Sequence, residues 1–441
     1  MLKNEISILG AGLVGSLLGT LIKQKGFNVD VYEMRQDPRT QTKDGGKSIN
    51  LALSHRGIEA LKLAGIYDQI QDDLIPMKGR MMHDLSGELY TQPYGKEGQF
   101  INSVSRNGLN KLLISHAESQ GVNFHFDHKC IDVDLNETQV SFSNGQQISS
   151  EVLIGSDGAY SMLRQKMEHT DRFNFEQYYI DHGYKELKME PSDGTFAMEP
   201  NYLHIWPRGN FMLIALPNPD CSFTCTLFFP FDGELSFKSI QTEGEISSFF
   251  EQYFPDVIPL IPDYVQQFQT NSTSSLVTIR TAPWNFNNSL LIGDAGHAIV
   301  PFYGQGMNAG FEDCRLLMKW GDELKFDWKQ LLPTFSQRRK PDADGIADLA
   351  LNNFVEMRDH VADERFLNIK KVEARLQSEY PDVWLPLYSM VTFSDIPYSE
   401  ALRIGKIQKQ VTGQLEEGFD PGTVKLEPLI EKFNNLMQGA R

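Results

Sequence analysis

The chain has 441 residues, too many for one small core, and its 41% hydrophobic and 11% aromatic content is ample for ordinary globular packing. A formal net charge of −17 argues against nucleic acid or an anionic membrane surface as partner, since phosphate binding needs a basic face. The four cysteines, Cys130, Cys221, Cys225 and Cys314, form no paired framework and fit a reducing compartment.

In chain order, residues 5–10 read as an apolar strand, 13–25 as a helix ending at Gly26, and 28–33 as a second apolar strand. This is the opening of a dinucleotide-binding domain. It begins without a charged segment leading into an apolar stretch and cleavage site, so no signal peptide is expected. A polar loop, Thr40–Lys47, leads to a helix from Ser54 that carries Ile58, Leu61 and Leu63. Two strands then turn around Asp84–Gly87. A helix over Arg106–Ser119 precedes the alternating strand Val122–Phe126, and Asn144-Gly145 marks a hairpin. The strand Val152-Leu153-Ile154 returns to a loop at Gly155-Ser156-Asp157-Gly158.

From about 170 to 280 the pattern is β-rich, with Tyr202–Trp206, Phe211–Leu216 and Phe223–Phe231 as strands. Cys221 and Cys225 read as core side chains of one such strand, since no His or Cys cluster accompanies them; no metal site is expected. Leu290-Leu291-Ile292 returns to the nucleotide domain, and helical patterns dominate after about residue 325. No apolar run approaches the roughly 20 residues of a membrane-spanning helix. The expectation is a cytoplasmic α/β protein, in part α+β, without a membrane anchor; oligomeric state is left open. A Rossmann-like FAD-binding domain takes residues 1–75, 100–170 and 280–325. An inserted antiparallel β-sheet substrate domain takes 76–99 and 171–279, and a C-terminal helical domain, 326–441, closes the pocket.

The chemistry concentrates in three constellations. Gly10-Ala11-Gly12-Leu13-Val14-Gly15 stands between strand and helix. Gly10 permits the tight turn, Gly12 lets a pyrophosphate approach the backbone, and Gly15 lets helix and strand pack closely. The helix N-terminus presents free N–H groups and partial positive charge to phosphate. Glu33, 18 residues after Gly15, closes the second strand where a carboxylate can accept from a ribose diol. That much suits NAD or FAD equally. Asp294, in Gly293-Asp294 at a strand end, can bind a ribityl hydroxyl, which only FAD has. The run Pro301-Phe302-Tyr303-Gly304-Gln305-Gly306-Met307-Asn308 opens a helix whose amides can face negative charge on a flavin.

Gly155-Ser156-Asp157-Gly158-Ala159-Tyr160-Ser161 with Leu163-Arg164 resembles the second fingerprint of flavoprotein aromatic hydroxylases, which in that family serves both FAD and NADPH. Further stretches resemble the kynurenine 3-monooxygenase family in particular: Lys47–Gly57, Ser103–Arg106, Tyr202–Pro207, His297–Cys314 and Pro386–Ser394. The resemblance reaches to about residue 410. Gly296 and Tyr303 depart from it, standing where Ala and a second Phe are expected.

The resemblance implies FAD as cofactor, NADPH and O2 as co-substrates, and L-kynurenine as the aromatic acid hydroxylated to 3-hydroxykynurenine through a C4a-hydroperoxyflavin. By matching position it implies flavin contacts at Val14, Glu33, Arg35, Ala52, Arg106, Cys130 (through its backbone), Asp294, Met307 and Asn308. Arg80 would hold the substrate carboxylate as a bidentate donor. A hairpin at Asp84–Glu88 places Arg80 roughly opposite Tyr94, and Asn353 and Tyr398 complete the polar contacts. Pro301, Phe302 and the strands at 211–216 and 223–229 would enclose the ring. No side-chain acid or base is required, and His297 reads as structural. Three other readings stay open at this point: a hydroxylase of another aromatic acid, an FAD-dependent reductase without oxygen insertion, and a non-catalytic FAD-binding protein.

Overall fold

Ile6, Ile8 and Leu9 are almost wholly shielded from solvent, and their strand, Glu5–Leu9, lies inside a parallel sheet. In the computed structural model, which describes residues 5–40, 50–356 and 364–439, it pairs with Asn28–Tyr32 and with Val152–Gly155. Asn123–His125 and Ser289–Leu291 extend the sheet in parallel, and antiparallel Asn285–Phe286 ends one edge. Parallel strands buried on both faces read as continuous apolar runs, which is why they are visible in the sequence. Helix Leu13–Gln24 packs against helices Arg106–Ser119 and Gly306–Glu323. The expected loop beyond Thr40, with Lys47, Ser48 and Ile49, lies outside the described residues.

The second sheet has seven strands, in the order Ser274–Ala282, Asn174–Met189, Phe223–Pro230, Phe211–Pro217, Leu203–Arg208, Gly79–His83 and Leu89–Pro93. Every neighbouring pair is antiparallel except Leu203–Arg208 with Gly79–His83, which runs parallel. The antiparallel insert expected from the sequence holds everywhere except at that junction. The 79–93 hairpin joins from an earlier part of the chain, so no tight turn dictates its direction.

Two helices, Glu243–Tyr253 and Tyr264–Thr270, also interrupt the stretch read as β-rich. The first had a legible signal: Thr242 and Glu245 form a capping box, followed by buried Ile246, Phe249 and Phe250. Cys221 lies in the turn before Phe223–Pro230, at φ 65°, so only Cys225 belongs to the strand.

Alternation assigns the faces of this sheet. Phe211, Leu213, Ala215, Cys225, Leu227 and Phe229 form a core with the two extra helices. Met212, Ile214 and Phe228 face the opposite way, toward Phe302, Tyr303 and the C-terminal helices. Those helices are Trp328–Val355, Glu364–Glu379, Leu387–Thr392, Tyr398–Thr412 and Glu427–Gly439. Among the described residues, no helix is long and apolar enough to cross a membrane.

Candidate active site

The turns after Glu5–Leu9, Asn28–Tyr32 and Val152–Gly155 meet at the carboxyl ends of the parallel strands, the usual place for ligands in such sheets. Gly10 has φ +98°, and a Cβ there would stand 2.7 Å from the Ser156 carbonyl oxygen. A Cβ on Gly15 would stand 2.0 Å from the Gly10 oxygen, so helix and turn close only around glycine. Gly12 differs: a Cβ there would meet nothing within 4 Å, and the open space adjoins the first-turn amides of the helix. That is the surface a pyrophosphate needs. Ser156 Oγ donates to the carbonyls of Leu9 (2.9 Å) and Gly10 (3.0 Å), fastening the 155–158 turn to the first.

Glu33 accepts from the Ala11 amide through Oε2 (3.0 Å) and from the Arg35 amide through Oε1 (2.9 Å), so its carboxylate is oriented in advance. The His128 and Asp127 amides donate to the carbonyls of Glu33 and Arg35, which brings the segment leading to Cys130 alongside. Burial, with the Asp157 charge, pushes the Cys130 thiol up to about 12 and keeps it protonated. Asp157 accepts from the Met162 amide through Oδ2 (2.7 Å), while its buried Oδ1 has no partner. Burial raises its carboxyl above the usual range.

On the other side of the crevice, Gly293 (φ +61°) donates its amide to Asp313 Oδ2 at 3.0 Å and thereby sets Asp294. Asp294 opens to the crevice yet is ringed by protein; burial raises its carboxyl and the Arg106 guanidinium pulls it down. Val14 fits between Gly293 and Gly310, where a Cβ would come within 3.2 Å and 2.6 Å of its methyls. Asn308 is an internal stitch: it accepts from the Ser54 amide and donates to the carbonyls of Ala52 (2.8 Å) and Gly304 (2.9 Å). Only its backbone remains to face a flavin. The first-turn amides of Gly306–Glu323, Met307 included, lack intrahelical carbonyls and carry the positive end of the helix dipole. These residues together fit FAD.

Arg80 pairs across the hairpin with Gln92, and Tyr94 lies diagonally two residues further on the same face. Its guanidinium lies 5.8 Å from the Tyr94 ring centroid and 5.7 Å from that of Tyr388. Tyr94 and Tyr388 are stacked at 5.1 Å, and Tyr388 and Tyr303 at 5.6 Å. Arg80 Nε is buried without a hydrogen-bond partner, and among the described residues Arg80 makes no ion pair. Burial alone would lower its pKa; the Tyr94 and Tyr388 phenols and the Glu356 carboxylate more than offset this, so the net shift is upward.

Asn353 is buried and its neighbour Asn352 exposed, which excludes a helix-surface role for the former. Its Nδ2 donates to the Phe302 carbonyl at 2.6 Å. Phe302 packs against Phe354 and Phe228, whereas Pro301 is exposed. The rest of the Asn353–Arg358 run, Met357 and Arg358, lies outside the described residues.

Tyr398 does not join the clamp, and its assignment to the substrate is corrected. It is fully buried, its hydroxyl donates to Gln305 Oε1 at 3.0 Å, and its ring lies between Arg56 (4.0 Å) and Arg339 (5.6 Å). These arginines meet Glu312 and Asp313, and Asp313 also holds His297 at 2.6 Å. The residue beside Arg80 is Tyr388, ten positions earlier, within the Pro386–Ser394 stretch already singled out. Both tyrosines lie at the start of a helix just after a proline, so local pattern does not separate them.

The sequence matches the FAD binding domain family over residues 3–350. Kynurenine 3-monooxygenase of Christiangramia forsetii is 45% identical, covering 98% of this chain and 99% of its own length. That of Cytophaga hutchinsonii is 47% identical over 94% of each, and that of Sus scrofa 44% identical over 93% of this chain and 88% of its own. Among solved structures, the tetrameric form of 2-methyl-3-hydroxypyridine-5-carboxylic acid oxygenase aligns at a TM-score of 0.68 and 17% identity, covering 81% of this chain and 94% of that one. P. aeruginosa PqsL in complex with 2-aminobenzoylacetate aligns at 0.65 and 17%, covering 81% and 97%. At that identity the two structures show the fold.

Proposed function

The chain belongs to the kynurenine 3-monooxygenase family of FAD-dependent aromatic hydroxylases, and from that premise we propose that it converts L-kynurenine to 3-hydroxykynurenine, consuming NADPH and O2. When bound, FAD supplies the redox chemistry, accepting hydride from NADPH and passing one atom of O2 to the ring. The protein's part is to bind, orient and keep dry.

The Gly10–Gly15 turn receives the pyrophosphate, Glu33 the ribose diol, and Asp294 with Arg106 the ribityl chain. The first-turn amides of Gly306–Glu323 would face the bound flavin ring and favour negative charge there. Arg80 takes the substrate carboxylate, assisted by the hydroxyls of Tyr94 and Tyr388. The apolar side chains of Leu203, Ile214 and Phe302 enclose the arene and exclude water. The aniline nitrogen activates the carbon beside it, so the ring needs positioning, not ionisation. Burial raises the pKa of the phenols around the clamp, so at neutral pH they are protonated and can donate to a ligand.

The observation that carries this reading is Arg80: a half-buried guanidinium against the Tyr94 and Tyr388 rings, its buried Nε without a hydrogen-bond partner. A cation with a buried, unpaired donor calls for an anionic ligand. The test is to purify the protein, record its flavin absorbance, and follow NADPH loss with and without L-kynurenine under labelled O2. Stimulated oxidation with label in the hydroxylated product is expected. A colourless protein that FAD cannot reconstitute, or oxidation indifferent to L-kynurenine, overturns the reading.

A further inference from the structure

Tyr303 stands where the family resemblance calls for phenylalanine, and its hydroxyl is unusually situated. The residue is only 8% exposed, yet among the described residues the hydroxyl makes no hydrogen bond. A buried phenol normally finds a partner in the protein, as Tyr398 does on Gln305.

Its position is fixed from both sides. Asn353 Nδ2 holds the Phe302 carbonyl at 2.6 Å, and the Gly304 amide closes the Pro301–Tyr303 turn on the Pro301 carbonyl at 2.8 Å. The ring stacks on Tyr388 at 5.6 Å and 17°. Tyr388 stacks in turn on Tyr94, and Arg80 lies against both. Immediately after Tyr303 come Gly304 and the helix start at Gly306. Tyr303 therefore stands between the carboxylate clamp and the place assigned to the flavin.

Kynurenine, the substrate under the reading above on which this inference rests, has its groups in a matching order: carboxylate, side-chain ketone, then the ring. With the carboxylate on Arg80 and the ring toward the helix start, the ketone is the segment that passes Tyr303. We infer that Tyr303 determines specificity by donating a hydrogen bond from its hydroxyl to the aryl ketone oxygen of the substrate. A site built to pair a substrate oxygen discriminates against an analogue lacking it, because the donor is then left unpaired.

The test is a two-by-two comparison of wild type and Tyr303→Phe, each as oxidised holoenzyme without NADPH, titrated with L-kynurenine and with 2-amino-4-(2-aminophenyl)butanoate. The second ligand carries CH2 in place of the ketone. Kd is read from the change in flavin absorbance. Tyr303→Phe should weaken L-kynurenine about 10-fold and leave the deoxy ligand within about 2-fold. During turnover it should also raise the NADPH consumed per hydroxylated product. Equal weakening of both ligands shows a packing role only and overturns the inference, as does no weakening of either. A wild-type flavin that responds to neither ligand overturns the substrate reading itself, and the inference with it.

Discussion

Two arginine–tyrosine clusters adjoin the start of helix Gly306–Glu323, and they are built on opposite principles. Around Tyr398, each cation meets an anion: Arg339 has Asp313 at 2.7 Å and Glu312 at 2.8 Å, and Arg56 reaches Glu312 and two backbone carbonyls. Around Tyr388, Arg80 has aromatic faces and an unpartnered Nε but no acidic partner within ion-pair distance among the described residues. Buried charge persists only when paired, so the cations of the first cluster are ion-paired within the protein, whereas the half-buried Arg80 is left to the anionic ligand proposed for it. The same residue types serve structure in one place and, in the proposed reading, recognition in the other.

Breaking the first cluster should give the largest effect. Arg339→Met strands Asp313 and Glu312 in the interior and should destabilise the fold by about 3–5 kcal/mol in urea unfolding. The protein that remains folded should keep its KM for L-kynurenine. A large rise in KM with unchanged stability would mean that this cluster reaches the substrate. Arg80→Ala is the converse. It should reduce kcat/KM roughly 100-fold, about 2.7 kcal/mol, through KM, with FAD content and Tm unchanged. Arg80→Lys should recover only part, since an ammonium cannot reproduce the planar fork.

The two tyrosines separate the clusters more finely. Tyr388→Phe should raise KM about 5- to 10-fold at constant Tm, the loss of one hydrogen bond to a charged group. Tyr398→Phe should leave KM alone and cost about 1 kcal/mol in stability through the lost bond to Gln305. The opposite pattern would restore Tyr398 to the substrate site.

The sequence carried the nucleotide half of this architecture well, because its demands are local. Gly10 and Gly15 are dictated by contacts a few residues away in space and by the Ser156 turn, and such contacts leave a fixed spacing. The clamp is different. Arg80 and Tyr94 share one hairpin, and counting from its turn put them roughly opposite although the register pairs Arg80 with Gln92; Tyr388 arrives from the C-terminal helices, and its place at a helix start after a proline is shared with Tyr398. Strand faces were equally illegible, since both sides of Phe211–Pro217 bury apolar residues and alternation loses its contrast. The helix at Glu243 was missed for another reason: its capping box lies inside a stretch whose overall composition says strand.

The smallest expected effect is of pH on binding. Burial pushes the Tyr388 phenol up to about 12, and burial with the Tyr388 charge places Tyr94 well above its ordinary value. Both then remain protonated donors between about pH 6 and pH 9, and the KM for L-kynurenine should be flat across that range. Stability should follow a different course. A phenol whose pKa is raised by folding contributes stability that is intact below about pH 10, where an unfolded tyrosine begins to ionise, and lost as pH climbs toward 12. Unfolding free energy should therefore decline above pH 10, and Tyr388→Phe should decline less steeply. If wild-type KM instead rose between pH 7 and 9 and the Phe variant removed that rise, the clamp would be using a phenolate. An anion there would pair with Arg80 from within the protein, and the contrast between the two clusters would disappear.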